Sequence, residues 1–355
     1  MVLYKAKLVN LGIMKTKIIV TIGPASDSKE MIEKLALAGM DVMRCNFAHC
    51  TFPEYKQRYE FMKEVNEKHG LDVKIQADLR GPSIRLGENI PKEGLVVKEG
   101  DILKFVTAPC QNKKEDELII TDPYLHTDVS VGDPMLVESG MLELEITHVA
   151  PGSHKFEAKV KIGGTIYPRK ALNLPTTKLT TSSVTEKDIN DLEYALSVGV
   201  DFVALSFVGC ADDIRKIKDV IKDAPVKIMS KIERREALNN IDEIMEASDV
   251  IIVARGDLGV ETPYEELPII QKQLIRKAQQ YLKPAVVATQ MLKNMMVSPY
   301  PTRAEISDIA NAVFDGAHYV WLSDETTVGL YPVEAVKVMR KVTNAIDSYL
   351  DSEGR

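Results

Sequence analysis

Eight times along the chain, a short run rich in Val and Ile and ending in a polar residue is followed by a stretch with helical apolar spacing. The runs cover residues 17–21, 41–44, 73–78, 202–207, 227–233, 250–255, 285–289 and 319–323. They lack clean apolar–polar alternation, which is the pattern of parallel strands covered on both faces. Between them stand helix signals. Thr185-x-x-Asp188 reads as a capping box ahead of Ile189, Leu192 and Leu196, and Val336, Met339, Val342, Ile346 and Leu350 form one apolar stripe. Eight strand–helix units close most economically as a (β/α)8 TIM barrel in the α/β class. An open doubly wound sheet uses the same elements and remains the alternative at this stage.

The third unit is interrupted. Residues 83–175 carry no helical periodicity but repeated turn pairs, at Glu99-Gly100-Asp101, Val131-Gly132-Asp133, Ser139-Gly140 and Gly163-Gly164. Leu142, Leu144 and Ile146 alternate with Glu143, Glu145 and Thr147, and Phe156, Ala158, Val160 and Ile162 alternate with lysines and Glu157. A period of two between glycine turns predicts antiparallel strands with one wet face. The chain therefore divides into a barrel part over 1–82, a small all-β domain over 83–175 inserted after barrel strand three, and a second barrel part over 176–355. The insert leaves from the strand end where barrel active sites sit, so it can act as a lid.

Composition narrows the class. With 355 residues, 45% of them hydrophobic, the chain can bury a large core, and a net charge of −7 argues against a nucleic-acid coat. The four cysteines, Cys45, Cys50, Cys110 and Cys210, make no CxxC pair, as expected in a reducing compartment. Lysines at 5, 7, 15 and 17 are not followed by a signal-type apolar run, and no stretch has the length of a membrane span. A cytoplasmic enzyme without nucleic-acid or membrane partners is the expectation.

Polar residues at barrel strand ends are the functional candidates. Strand two ends in Arg44-Cys-Asn46-Phe-Ala48-His49, strand three in Asp78-Leu79-Arg80, strand five in Lys231-Ile-Glu233, strand six in Arg255-Gly256-Asp257, strand seven in Thr289-Gln290, and strand eight in Ser323-Asp-Glu325. Glu233 and Asp257, from neighbouring strands, suit Mg²⁺ or Mn²⁺, or else a buried salt bridge with Lys231 or Arg255. Lys231 fits a phosphoryl-stabilising role, a Schiff base or a plain ion pair. Gly256 offers backbone N–H groups to an anion or simply makes a turn. The Thr21–Ser26 segment is a phosphate-side loop or a capped turn, and His49 contacts phosphate or is a satisfied loop residue. The six histidines show no zinc spacing, and no Walker A, GxGxxG or GxSxG motif is present.

Taken together, nine strings in register resemble the pyruvate kinase family. They are Thr16-Lys-Ile-Ile-Val-Thr-Ile-Gly-Pro-Ala-Ser26, Asp201-Phe-Val-Ala-Leu-Ser-Phe207, Ser230-Lys-Ile-Glu233, Ile241-Asp-Glu-Ile244, Glu246-Ala-Ser-Asp249, Val253-Ala-Arg-Gly-Asp-Leu-Gly-Val-Glu261, Ala288-Thr-Gln-Met-Leu292, Pro301-Thr-Arg-Ala-Glu305 and Tyr331-Pro-Val-Glu-Ala-Val336. The resemblance implies phosphoryl transfer from phosphoenolpyruvate to ADP, giving pyruvate and ATP. It makes Lys231, Thr289 and Arg44 catalytic, and Gly256, Asp257, Thr289 and Arg44 substrate-binding. Arg85, His49, Lys170 and Asn46 fall on the nucleotide side, with Arg44 and Arg85 matching phosphate-contacting arginines. Glu233 and Asp257 become ligands of Mg²⁺ or Mn²⁺, and Asn46, Asp78 and the Leu79 carbonyl ligands of K⁺.

The family pattern is not matched everywhere. Ala48 stands where a serine hydroxyl is usual, Cys50 where glycine is usual, and Leu79, Arg80 and Ser83 replace threonine, lysine and an acid. Arg234 replaces an asparagine and Asp324 a glycine. No counterpart of the family's C-terminal effector domain follows the eighth unit, so the expectation is a form without sugar-phosphate control that assembles, if at all, as a homo-oligomer through barrel contacts. The departures also leave room for a relative acting on another enolate or phosphate substrate, or for a non-catalytic nucleotide- or metabolite-binding protein.

Overall fold

The structure, a computed structural model, describes residues 15–109, 114–138 and 140–354. Lys5, Lys7, Cys110 and Ser139, read above in the sequence, lie outside the described residues.

The chain begins its barrel with β1 (Lys17–Thr21), β2 (Val42–Asn46) and β3 (Lys74–Asp78). It then leaves for a block of eight strands: β4 (Leu95–Val97), β5 (Ile102–Thr107), β6 (Glu117–Ile120), β7 (Pro134–Val137), β8 (Leu142–Val149), β9 (Lys155–Ile162), β10 (Gly164–Ile166) and β11 (Leu172–Asn173). It returns through β12 (Phe202–Leu205), β13 (Lys227–Ile232), β14 (Val250–Ala254), β15 (Ala285–Ala288) and β16 (Tyr319–Leu322). The eight barrel strands close in the order β1-β16-β15-β14-β13-β12-β3-β2, every neighbouring pair parallel. Closure rules out the open sheet. No helix among the described residues is long and apolar enough to cross a membrane.

Strand parity sorts the side chains into two layers. Ile19, Val42, Phe202, Met229, Val250, Ile252, Val286 and Tyr319 form one buried cluster with Ala204, Ala254, Ala288 and Trp321. These share strand faces with Arg44, Asp78 and Lys231, which marks them as the barrel interior. The alternate residues, such as Val20, Met43, Val203, Leu205, Ile251 and Leu322, pack outward against the helices in a second, larger cluster. Inside, three alanines stand at the C-terminal layer beneath the mouth, so bulk fills the lower barrel and the top is left for polar groups.

The inserted block has its own core, including Phe105, Leu144, Ile146, Phe156, Ala158 and Val160. Its strands form a six-stranded sheet, β11-β7-β8-β9-β5-β6, and a two-stranded sheet, β10-β4. Pairing is antiparallel as expected, with one departure: β5 and β6 run parallel. Residues 108–116 separate them, and at about 3.3 Å each they can return along a four-residue strand, where a tight hairpin could not. The two connections to the barrel zip together, Leu86 N–H donating to the Lys170 carbonyl (2.9 Å) and Leu172 N–H to the Ile84 carbonyl (2.9 Å). Gly81 makes the exit turn at φ +66°, and a Cβ there would sit 3.0 Å from the Phe207 ring. Its N–H donates to Asp188 (3.0 Å), the residue that also closes the Thr185 capping box of the helix Glu186–Val198. The exit to the insert and the first helix after it are thus tied at one carboxylate.

Candidate active site

The end of β13 carries the centre of the site. Residues two apart on a strand share a face, and Lys231 Nζ lies 2.8 Å from Glu233 Oε1. The same ammonium donates to Ser206 Oγ (2.8 Å) and stands 3.7 Å from Asp78 Oδ1. Ser206 in turn donates to the Leu79 carbonyl (2.7 Å), and Glu233 Oε2 accepts from the Phe207 N–H (2.7 Å). Burial pulls against a charged Lys231, but Asp78 and Glu233 outweigh it and hold the ammonium above its ordinary pKa. Glu233 is driven the other way. Burial and the nearby Asp257 outweigh Lys231 and push it up to about 7. Asp257 is also raised, by burial first, with Lys231 opposing and Glu261 adding to the shift. Two crowded acids of raised pKa, Glu233 buried and Asp257 half-buried, make a site short of positive charge.

Cations surround this centre on the side of β2 and β3. Arg44 donates through Nε and Nη2 to Asp78 Oδ2 (2.9 and 2.6 Å) and through Nη1 to Thr21 Oγ1 (3.2 Å). Its Cζ lies 4.9 Å from the Trp321 ring centroid, and Trp321 itself donates to Thr21. Three of the five guanidinium N–H donors are thereby committed and the plane is locked, leaving donors for an anion. Burial lowers the pKa of His49, and Arg44, Arg85 and Arg80 lower it further. A cavity of about 460 Å³ opens here, with Arg44, Asn46 and His49 on one wall and Ser323 and Asp324 on another.

Thr289 follows β15 with φ +79°, an uncommon conformation for a β-branched residue. Arg255 holds it there. Arg255 Nη2 donates to the Thr289 carbonyl (2.6 Å) and Nε to that of Ala288 (3.2 Å), while Nη1 is gripped by both oxygens of Asp308 (2.8 and 2.7 Å). A Cβ added to Gly256 would meet the Thr289 methyl at 3.0 Å, so a side chain at 256 would crowd the threonine. Arg255 therefore does not pair with the site acids, and of the two salt bridges considered for Glu233 only the one to Lys231 forms.

The structure gathers Lys231, Glu233, Asp257, Asp78 and Arg44 in one constellation, with Thr289 against Gly256 at its edge. Lys170 sits in the inserted block, ion-paired with Glu138 and near the Tyr167 ring. Arg85 donates to the Arg169 carbonyl (3.0 Å), and its guanidinium feels Arg80 and Asp257. The Thr21–Ser26 segment folds as a turn, the Gly23 N–H donating to Ser26 Oγ (3.1 Å). Asn46 Oδ1 accepts from the Ala48 N–H (3.0 Å). Sequence reading missed Ser206 and Asp308. Ser206 directly follows the fourth barrel strand, and the strand-end rule applied to six other strands would have found it; Asp308 lies inside a helix and carries no comparable signal.

Fold and site together define a (β/α)8 barrel with an inserted β domain, whose mouth sets a buried lysine and two acids against a rim of arginines. Residues 13–336 match the family described as "Pyruvate kinase, barrel domain". The pyruvate kinases of Bacillus licheniformis and Geobacillus stearothermophilus are 41% and 42% identical over 340 residues, which is 95% of this chain and 58% of theirs. That of Thermococcus litoralis is 41% identical over 344 residues, 96% of this chain and 71% of its own. The chain belongs to the pyruvate kinase family, and it spans about three fifths of the length of the first two relatives.

Proposed function

We propose that this chain transfers the phosphoryl group of phosphoenolpyruvate to ADP, releasing pyruvate and ATP. The observation that carries the reading is the largely buried Lys231 ammonium, 2.8 Å from Glu233 and beside Asp257, at the C-terminal mouth of the barrel. Phosphoryl transfer asks little covalent chemistry of a protein and much charge neutralisation. Lys231, kept protonated by its acids, presents a fixed positive charge to the phosphoryl oxygens and to the enolate oxygen left behind. Arg44, clamped by Asp78, directs its spare N–H groups to phosphate. Gly256 and Asp257 N–H groups and the Thr289 hydroxyl hold the substrate carboxylate, and Thr289 lies on the face where the enolate takes up its proton.

Glu233 and Asp257 fit a divalent ion, because Glu233 is a buried carboxylate whose pKa the neighbouring Asp257 helps to raise, a crowding of negative charge that a dication relieves. Mg²⁺ or Mn²⁺ held there would neutralise charge on the substrate oxygens. K⁺ fits less well: Ala48 offers no hydroxyl, Asn46 Oδ1 is bonded within its turn, Asp78 is taken by Arg44, and the Leu79 carbonyl accepts from Ser206. In this reading 1–82 and 176–355 form the barrel, and 83–175 is a lid that carries Lys170, alongside Arg85, His49 and Asn46, to the nucleotide phosphates. A cytoplasmic location and assembly through barrel contacts belong to the same reading.

The test is a coupled pyruvate assay with phosphoenolpyruvate, ADP and Mg²⁺. Wild type should turn over, and Lys231→Met should lower kcat by at least about 100-fold, the scale of losing one preorganised charge. Metal-dependent ligand binding without turnover would reject the reading.

A further inference from the structure

A cavity of about 470 Å³ lies where the insert rejoins the barrel, and its lining shares no residue with the constellation around Lys231. Residues 175–178, on the return segment that follows β11, form one wall. Residues 234–236, 239 and 240, on the loop and short helix that follow β13, form the other, and Glu261 completes the lining. The first wall is tied to the insert, Thr177 Oγ1 donating to Asp133 Oδ2 (3.0 Å). The second is tied to the barrel, Asn240 Nδ2 donating to the Gly209 carbonyl (2.8 Å).

Arg234, one of the departures from the family pattern, is 8% exposed and lines this cavity. Among the described residues its one close acidic partner is Glu236, at 3.1 Å, a single contact for a group with five N–H donors. Glu261 is buried as well and accepts from Asn173 Nδ2 (3.4 Å). Lys178 and Arg235 are exposed, and neither pairs with an acid among the described residues. Three cations therefore face two acids that are already engaged, and the buried guanidinium keeps most of its donors for something else.

We propose that this cavity is a binding site for a small phosphate monoester, separate from the catalytic centre. A phosphate dianion has three terminal oxygens, enough for the two guanidinium forks and the Lys178 ammonium together, whereas a carboxylate fills one fork. The volume lies in the range of small-molecule sites and exceeds the need of phosphate alone, so a body accompanies the anion. That body is polar and not aromatic. Among the described residues the lining holds no aromatic ring for stacking, while the Asn239 amide and the Thr177 oxygen, still able to accept, offer hydrogen bonds. Bound there, the ester joins the return segment of the insert to the loop that follows Glu233, so occupancy restrains the insert against the barrel. None of this depends on the catalytic reading.

Calorimetry on the full chain with glycerol 3-phosphate, inorganic phosphate and glycerol tests the site. Wild type should bind glycerol 3-phosphate, and the double variant Lys178→Ala/Arg235→Ala should bind it at least about tenfold more weakly, the scale of losing charged hydrogen bonds. Both side chains are exposed, so thermal melting without ligand should be the same in the two proteins. Inorganic phosphate should bind more weakly than the ester, and glycerol should give no heat. In wild-type crystals grown with the ester, density should lie against Arg234 and Lys178. Equal affinity in wild type and double variant, or density beside Arg44 alone, would overturn the proposal by putting the anion in the catalytic cavity. Absence of wild-type binding at about 10 mM ester would overturn it too. Phosphate binding as tightly as the ester would reject the monoester in favour of free phosphate. Turnover enters none of these readouts, so this site can fail while the catalytic reading stands, and the reverse.

Discussion

At Lys231 a full positive charge survives in a buried place because Asp78 and Glu233 stand beside it. The pair Lys231–Glu233 was legible in the sequence, since residues two apart at a strand end face one way. The clamp on Thr289 was not. Arg255 and Asp308 lie 53 positions apart, and their contact exists only once a barrel strand end and the helix Arg303–Asp315 meet. Asp308→Asn removes one charge from the bidentate grip and loosens Arg255, whose hold on the Thr289 carbonyl keeps that residue at positive φ. The expected outcome is a fall in kcat of about tenfold or more with KM for ADP little changed. It is read by steady-state kinetics, with a crystal structure of the variant to check Thr289. An unaltered kcat would assign the clamp to stability alone.

Among the elements, the strands were read almost to the residue. Each expected run overlaps an observed strand; the later ones are trimmed where a last polar side chain turns out of the ladder, as at Glu233 after Ile232, whereas β2 runs on from Arg44 to Asn46. The Thr185–Asp188 box was equally legible, because capping is local chemistry. His318 belongs to a different kind of knowledge. It sits just before β16, buried, and its Nδ1 accepts from the Ala285 N–H (3.2 Å) while its backbone N–H donates to the Ala285 carbonyl (2.8 Å). Acceptance requires a neutral ring nitrogen, and burial lowers the pKa from 6.5 to about 4. Between those values the unfolded chain binds more protons than the folded one, so stability rises with pH across that window. The stabilisation is complete above about 6.5 and is lost as pH falls toward about 4, a change of about 3 kcal/mol. Urea unfolding at pH 7 and pH 5 should show the loss, and His318→Asn, which retains an acceptor but does not titrate, should flatten it. An equal acid slope in that variant would refute the assignment.

For the whole molecule, the proposed nucleotide site draws residues from both the barrel and the insert. Lys170 rests on Glu138 inside the insert, at the point where the two connecting segments are zipped together. Lys170→Ala should weaken ADP binding about tenfold or more, the cost of one charged hydrogen bond to phosphate, and leave phosphoenolpyruvate binding nearly unchanged. Calorimetry with each ligand would show it, and equal losses for both would reject a nucleotide-side role. The sequence by itself determined the eight units, the place of the insert and the identity of the charged strand ends, because periodicity and strand parity are set by neighbours along the chain. Tertiary structure alone decided that β1 meets β16, that β5 and β6 run parallel, and that Ser206 and Asp308 find their partners. Those outcomes depend on distances between segments far apart in the chain or across a turn, and such distances are settled by closure and packing of the core.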